Sequence, residues 1–371
     1  MNLKSISILL ILFSIVFISG VYVSDYEVFP YSSIKYLKNN TVDNDNNHEN
    51  SYLPNDVKSL IHVTSDSKIY EKRSELINFL WGTESLPNTQ PTKIENHIVD
   101  MRYNDLENLE SIHKLTIKMD KNFDSIAYLF NPAISNQNLI IYHQGHAGDF
   151  IAGKETIQYL LKNNFSVLAL SMPLLGMNSQ PEILHPQFGL IKLQSHNQLE
   201  LIDDNDDFSV MKFFIEPVIV SINYLETEYN FESIHMVGIS GGGWTAVLSS
   251  ALDDRIEKTF SIAGSYPIFL RNDPKNFGDF EQHHFELYKI ANYLDLYVMG
   301  SYGKDRILVQ IFNKYDPCCF DGDAFLTYQK PIKNTVDTLG LGDFKILLDD
   351  THKEHKISDY SLEKIINELK V

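Results

Sequence analysis

The segment Gly238-Ile239-Ser240-Gly241-Gly242 is where this sequence has the clearest capacity for chemistry. It reads G-x-S-x-G. An apolar run, Ile234-His235-Met236-Val237, precedes it, and a run of helical character through Leu252 follows it. In that setting the serine sits on a sharp turn that lifts its hydroxyl off the end of a sheet. Glycines on either side let the backbone turn and approach its neighbours closely. The helix start adds oriented N–H groups and the positive end of its dipole. The competing assignment is a glycine-rich nucleotide loop. The run is not G-x-G-x-x-G, and the next expected strand ends in Ala263-Gly264-Ser265 with no carboxylate for a ribose. The chemistry expected of Ser240 is nucleophilic attack on an acyl carbon.

A serine hydroxyl is a weak nucleophile until a base takes its proton. After a G-x-S-x-G turn the partners follow in the order carboxylate, then histidine. His352 and His355 both lie between the last expected strand and the last expected helix. His355 is preferred, because it stands at the entry to that helix, and His352 is the alternative. The orienting carboxylate is expected just past the strand RILVQIF, at Asp316, with Pro317 setting the turn. Asp321 and Asp323 are the alternatives. An oxyanion needs two N–H donors. Gly241, directly after the nucleophile, supplies one. The loop His143-Gln144-Gly145-His146 supplies the other through His146, with Gly145 allowing a close approach. Two histidines without a carboxylate at ligand spacing are a weak metal signal, and no metal is expected at His143 and His146.

These residues need a scaffold that brings strand ends together. Residues 70–80 read as a helix stopped at Trp81-Gly82. Strands are expected at 97–103, 114–118 and 125–130 with no helices between them. From there strands at 138–143, 166–171, 233–238, 259–263, 306–312 and 344–348 alternate with helices at 154–163, 210–229, 239–252 and 361–369. That alternation predicts a mostly parallel sheet covered on both faces, an α/β class, joined to an antiparallel edge. Residues 263–306 break it. They are rich in aromatics, with a helix expected at 285–294, and read either as a cap over the site or as a helix packed on the sheet edge. In the cap reading Phe280 and Phe285 wall the acyl site.

The chain has 371 residues, and its net charge of −18 disfavours nucleic acid as a partner. Residues 5–23 carry no charge and would span about 28 Å as a helix, close to the hydrocarbon thickness of a bilayer. Lys4 before the run and Asp25 and Glu27 after it predict that the remainder lies outside the cytoplasm. Segment 1–23 is therefore expected to be a retained membrane anchor or a cleaved signal. Residues 24–55 are expected to form a polar tether, and the catalytic domain is expected to cover 56–371. The two cysteines, Cys318 and Cys319, are adjacent, so there is no disulfide framework, and buried thiols are expected.

The loop HQGHAGD (143–149), the turn GISGGGW (238–244), the Asp316 loop and the His355 loop together resemble the α/β-hydrolase superfamily over roughly residues 96–371. They are similar in style to dienelactone hydrolases, acetyl-xylan esterases and some secreted peptidases. Residues 24–95 match no element of that pattern. The resemblance implies a serine hydrolase acting on a small-molecule carboxylic ester through an acyl-serine, with no cofactor. An amidase or peptidase with the same residues is the first alternative, and a binding protein on a hydrolase scaffold is the second. The resemblance does not imply a substrate.

Overall fold

Short apolar strands reach full burial when they pair in parallel beneath helices on both faces. The computed structural model, which describes residues 56–202, 204 and 208–370, is built this way around the residues singled out above. These residues fall in one unit, Pro54–Val371. Helix α1 (Asp66–Trp81) starts at Ser65, whose side chain accepts from the Lys68 N–H, and ends at Gly82 with φ 63°. Three strands follow: β1 (Lys93–Glu95), β2 (Leu109–Lys118) and β3 (Asp124–Pro132). Then come β4 (Asn138–His143), α2 (Lys154–Lys162) and β5 (Ser166–Leu170). A hairpin of β6 (Glu182–His185) and β7 (Gly189–Lys192) stands apart. The remainder is α3 (Lys212–Glu228), β8 (Ser233–Ile239), α4 (Gly241–Leu252), β9 (Ile256–Ile262), α5 (Phe285–Ile290) and α6 (Tyr293–Ser301). It closes with β10 (Ile307–Asn313), α7 (Leu326–Leu339), β11 (Asp343–Asp349) and α8 (Asp359–Leu369).

Among the described residues, nine strands form one sheet in the order β1-β2-β3-β5-β4-β8-β9-β10-β11. Pairing is antiparallel from β1 to β5 and parallel from β5 to β11. The registers bring the carboxyl ends of five parallel strands to one edge. His143 lies opposite Gly238, Ile262 opposite both Ile239 and Ile311, and Asn313 opposite Asp349. Every loop that carries a predicted functional residue leaves from that edge, the usual place for ligands in an open α/β sheet.

Strand alternation sorts the core into two faces. On β10, Val309 and Ile311 pack with Ile157 and Leu160 of α2 and Ile365 and Ile366 of α8. Leu308 and Phe312 pack on the other face with Tyr297 of α6 and Tyr328 and Ile332 of α7. Each such buried side chain contributes about 1.5–3 kcal/mol relative to exposure. Helix α4 is buried along its whole length, as its lack of charged residues requires. The turn at Ser240 is therefore clamped between a central strand and a buried helix.

Several expectations are corrected. Residues 97–103 are not a strand. His97 has φ 52°, and Asp100 caps a 3-10 turn, Met101–Tyr103, by accepting from the Arg102 N–H. A side chain that bonds its own backbone competes with ladder pairing, and the edge strand forms at β1 instead. The single helix expected at 285–294 is two. Asn292 breaks it by capping α6, accepting from the N–H groups of Leu294 and Asp295. The hairpin β6–β7 and helix α7 were not anticipated. The expected anchor at 1–23 and tether at 24–55 lie outside the described residues. Among the described residues no helix is long and apolar enough to cross a membrane.

Candidate active site

Ser240 occupies the residue between β8 and α4 with φ 57° and ψ −129°. Positive φ is costly for a residue with a side chain, on the order of 1–3 kcal/mol, and persists only where the surroundings enforce it. Here they do. The Ser240 N–H donates to the Ile262 carbonyl at 2.9 Å, and the Ser240 carbonyl accepts from Trp244 at 3.1 Å. A Cβ on Gly238 would collide with the backbone of Gly242, so the turn closes only with glycine there. Gly145 meets the turn from the neighbouring loop: a Cβ on it would lie 2.5 Å from the Ile239 oxygen and 2.6 Å from the Ser240 Cβ.

Ser240 and His355 line the same cavity, of about 460 Å³, together with Gly145, His146, Cys318 and Cys319. His355 Nδ1 is 2.8 Å from Asp316 Oδ2. Asp316 is 2 % exposed. Its Oδ2 also accepts from Asn313 Nδ2 at 3.1 Å, and its Oδ1 accepts from the Cys318 N–H at 2.8 Å. Burial raises the Asp316 pKa, but His355, the Cys318 N–H and Asn313 outweigh it and hold the carboxyl below its ordinary range. Burial opposes the charge on His355 as well. The Asp316 hydrogen bond and charge win, and the imidazole pKa is raised. The other ring nitrogen, Nε2, is buried and accepts no hydrogen bond among the described residues. It is therefore available to a proton donor in the cavity.

The alternatives are placed elsewhere. His352 Nδ1 accepts from the Glu354 N–H at 3.1 Å, its Nε2 faces Asp349 Oδ2 at 3.4 Å, and it does not line the cavity. Asp321 pairs with Lys275 at 2.8 Å, and Asp323 is exposed. Sequence reasoning missed what holds the two loops together. Asn313, at the end of β10, donates to Asp316 and to the Lys356 carbonyl at 3.1 Å each, tying the carboxylate loop to the histidine loop. The Lys314 N–H donates to the Asp349 carbonyl at 2.8 Å. Buried Asp349 accepts from Thr351 Oγ1 at 2.6 Å and Ser361 Oγ at 3.0 Å, and from Ser358 Oγ. It thus folds the His355 loop back onto α8.

His143 and His146 do not meet as a pair of ligands. His143 is buried, its Nδ1 against the Gln144 carbonyl at 2.9 Å, and burial pushes its pKa down to about 4. The His146 ring lies on the turn instead: a Cβ on Gly241 would come within 2.5 Å of its Cε1. Each of its nitrogens faces a carboxylate from residues 263–306. Nε2 is 3.1 Å from Glu281 Oε1, and Nδ1 is 3.3 Å from Asp279 Oδ2. Burial disfavours charge here, yet Glu281 and Asp279 prevail and raise the His146 pKa. A ring with an acceptor at both nitrogens suits an imidazolium. The ligand atoms of His146, Asp279 and Glu281 also lie within 4.8 Å of one another, as do those of Cys318, Cys319 and His355. Neither grouping was visible in the sequence spacing.

Residues 263–306 reach the cavity through Pro274, Lys275, Gly278, Asp279 and Gln282, not through their aromatics. Phe285 is 71 % exposed, and Phe280 packs in the core beside Phe214. Neither lines the cavity, which corrects the expectation that they wall the acyl site. Tyr266, Tyr288, Tyr293 and Tyr297 are buried, because this part of the chain also supplies helix α6 over the sheet.

No family model matches the sequence, and no curated protein matches it. The structure is similar to that of an acetyl xylan esterase from Paenibacillus sp. R4, with TM-score 0.53 and 15 % identity over 84 % of this chain and 97 % of that one. It is similar to a glucuronoyl esterase from Solibacter usitatus, with TM-score 0.51 and 12 % identity over 81 % and 91 %. It is also similar to an esterase from Pyrococcus furiosus, with TM-score 0.50 and 14 % identity over 76 % and 98 %. At such identities the likeness establishes a shared fold.

Proposed function

We propose that this chain, which has the α/β-hydrolase fold, is a serine hydrolase that cleaves carboxylic esters through an acyl-serine. One observation carries the reading. Ser240 stands on a strained turn in the cavity that also holds His355, whose far nitrogen is fixed by buried Asp316. Ser240 Oγ attacks the ester carbonyl while His355 Nε2 takes its proton. Asp316 holds the imidazole in one tautomer and stabilises the cation that forms. The N–H of Gly241, in the first helical turn where no intrahelical acceptor exists, and that of His146 receive the oxyanion. The His146 ring lies on Gly241, and Glu281 and Asp279 favour its protonated form, which would place a positive group beside that oxygen. His355 then returns the proton to the leaving alcohol, and water, activated by the same base, releases the acid.

That the similar structures are those of esterases supports ester over amide substrates. Pro274, Lys275, Asp279 and Gln282 line the cavity, which supports reading residues 263–306 as a cap over the reacting bond. Residues 1–23 hold the enzyme to the outer face of a membrane, or are removed on export. The test is labelling of the protein with a fluorophosphonate probe and hydrolysis of p-nitrophenyl esters. Both are expected in the wild type and absent in folded Ser240→Ala. Hydrolysis persisting in Ser240→Ala near the wild-type rate would refute the mechanism.

A further inference from the structure

The proposed reaction leaves Cys318 and Cys319 without a role, yet both line the cavity beside Ser240 and His355. Neither is in a disulfide, Cys318 is exposed, and the two sulfurs are in contact. Asp316 sets their position. Its Oδ1 accepts from the N–H groups of Cys318 and Cys319 at 2.8 and 3.4 Å, while its Oδ2 holds His355. One carboxylate therefore aligns two thiols and an imidazole on the same space. One donor atom from each of Cys318, Cys319 and His355 lies within 4.8 Å of the other two.

Two thiolates and an imidazole are the donor set of zinc and of softer divalent cations, whereas hard cations select oxygen. The imidazole nitrogen left for a cation is Nε2, because Nδ1 is engaged by Asp316. A histidine that gives one nitrogen to a metal and the other to a carboxylate is the usual supported form of such a ligand. The other candidate grouping, His146 with Asp279 and Glu281, offers no sulfur.

We propose that Cys318, Cys319 and His355 form an inhibitory site for a thiophilic divalent cation of the zinc class. This rests on the reading of His355 as the base. When the cation binds, two thiol protons pass to solvent and Nε2 becomes a ligand. Nε2 then has no lone pair for the Ser240 proton, and hydrolysis stops until the cation leaves.

The full chain, reduced with a phosphine and freed of metal, is titrated with cadmium, and the ultraviolet thiolate-to-cadmium charge-transfer band is followed. One equivalent is expected to saturate the band. The band is expected to vanish in folded Cys318→Ser/Cys319→Ser and in the corresponding double alanine variant. His355→Ala should keep the band but bind at least about tenfold more weakly. Zinc should inhibit ester hydrolysis reversibly, and a chelator should restore it. In the double variants the ratio of rates with and without zinc should rise to one, whatever their own rate. A folded wild type with no band overturns the site. Zinc inhibition that persists in the double variants also overturns it and points to the His146 grouping. The cadmium titration reads independently of turnover, so loss of the hydrolase reading and loss of the metal site give different results.

Discussion

His352 Nε2 faces Asp349 Oδ2 across 3.4 Å, and the ring does not line the cavity that holds Ser240 and His355. Only two residues separate it from His355, yet the two rings contact different parts of the structure. His355→Ala is expected to lower kcat/KM by about 10³-fold or more, the cost of removing a general base. His352→Ala should change it less than about threefold and cost on the order of 1 kcal/mol in stability, since Asp349 keeps its hydroxyl donors. Ester kinetics and thermal unfolding of both variants give the comparison, and a reversed order would reassign the base.

The pH–rate profile should carry the mark of Asp316. His355 works as a base only when neutral, and its pKa is raised. The acid limb of kcat/KM is therefore expected above the ordinary imidazole value of about 6.5. In Asp316→Asn the raising charge is gone and burial remains, so the limb should move to lower pH while the maximal rate falls about 10⁴-fold. The signs for stability are different. The raised His355 pKa adds stability below about 6.5 that is lost as pH rises through the folded value. The depressed Asp316 pKa adds stability above about 3.9 that is lost as pH falls through its folded value. The ion pair thus stabilises most between these limits, on the acid side of the activity optimum. A limb unmoved in Asp316→Asn would separate the two residues functionally.

Gly145→Ala is expected to reduce kcat/KM by about 10²-fold, because the loop carrying His146 must retreat from the turn. The added Cβ meets backbone, the Ile239 oxygen at 2.5 Å, and a flexible side-chain end would yield more easily. Overpacking of this kind costs about 1–3 kcal/mol in stability. Unchanged kinetics in a folded variant would show that the loop's approach to Ser240 is not needed.

Glu281→Gln replaces the fully buried carboxyl group that faces His146 Nε2. The His146 pKa should then fall, which imidazole NMR titration can read directly. Weaker protonation of the ring beside Gly241 is expected to lower kcat about tenfold with KM little changed, since a positive charge there acts on the oxyanion and not on the bound ester. A rise in KM at constant kcat would place His146 in substrate binding instead.

What the sequence determined by itself was local. The turn at Ser240 needs a strand, three glycines and a buried helix, all within about twenty consecutive residues. Apart from hairpin β6–β7 and helix α7, the alternation of strands and helices after residue 138 was also legible, because apolar runs of strand length carry their own burial requirement. Legibility failed where a polar side chain redirected the backbone. Asp100 turned an expected strand into a capped 3-10 turn, and Asn292 cut one expected helix into two. Only the tertiary structure decided which histidine faces the cavity, since His352 and His355 have the same local chemistry and differ in whether Asp349 or Asp316 lies within reach. It also brought Glu281 to His146 across 135 positions of sequence. Sheet register sets such meetings: parallel pairing aligns the ends of β4, β8, β9, β10 and β11 at one edge, and side chains far apart along the chain become neighbours there.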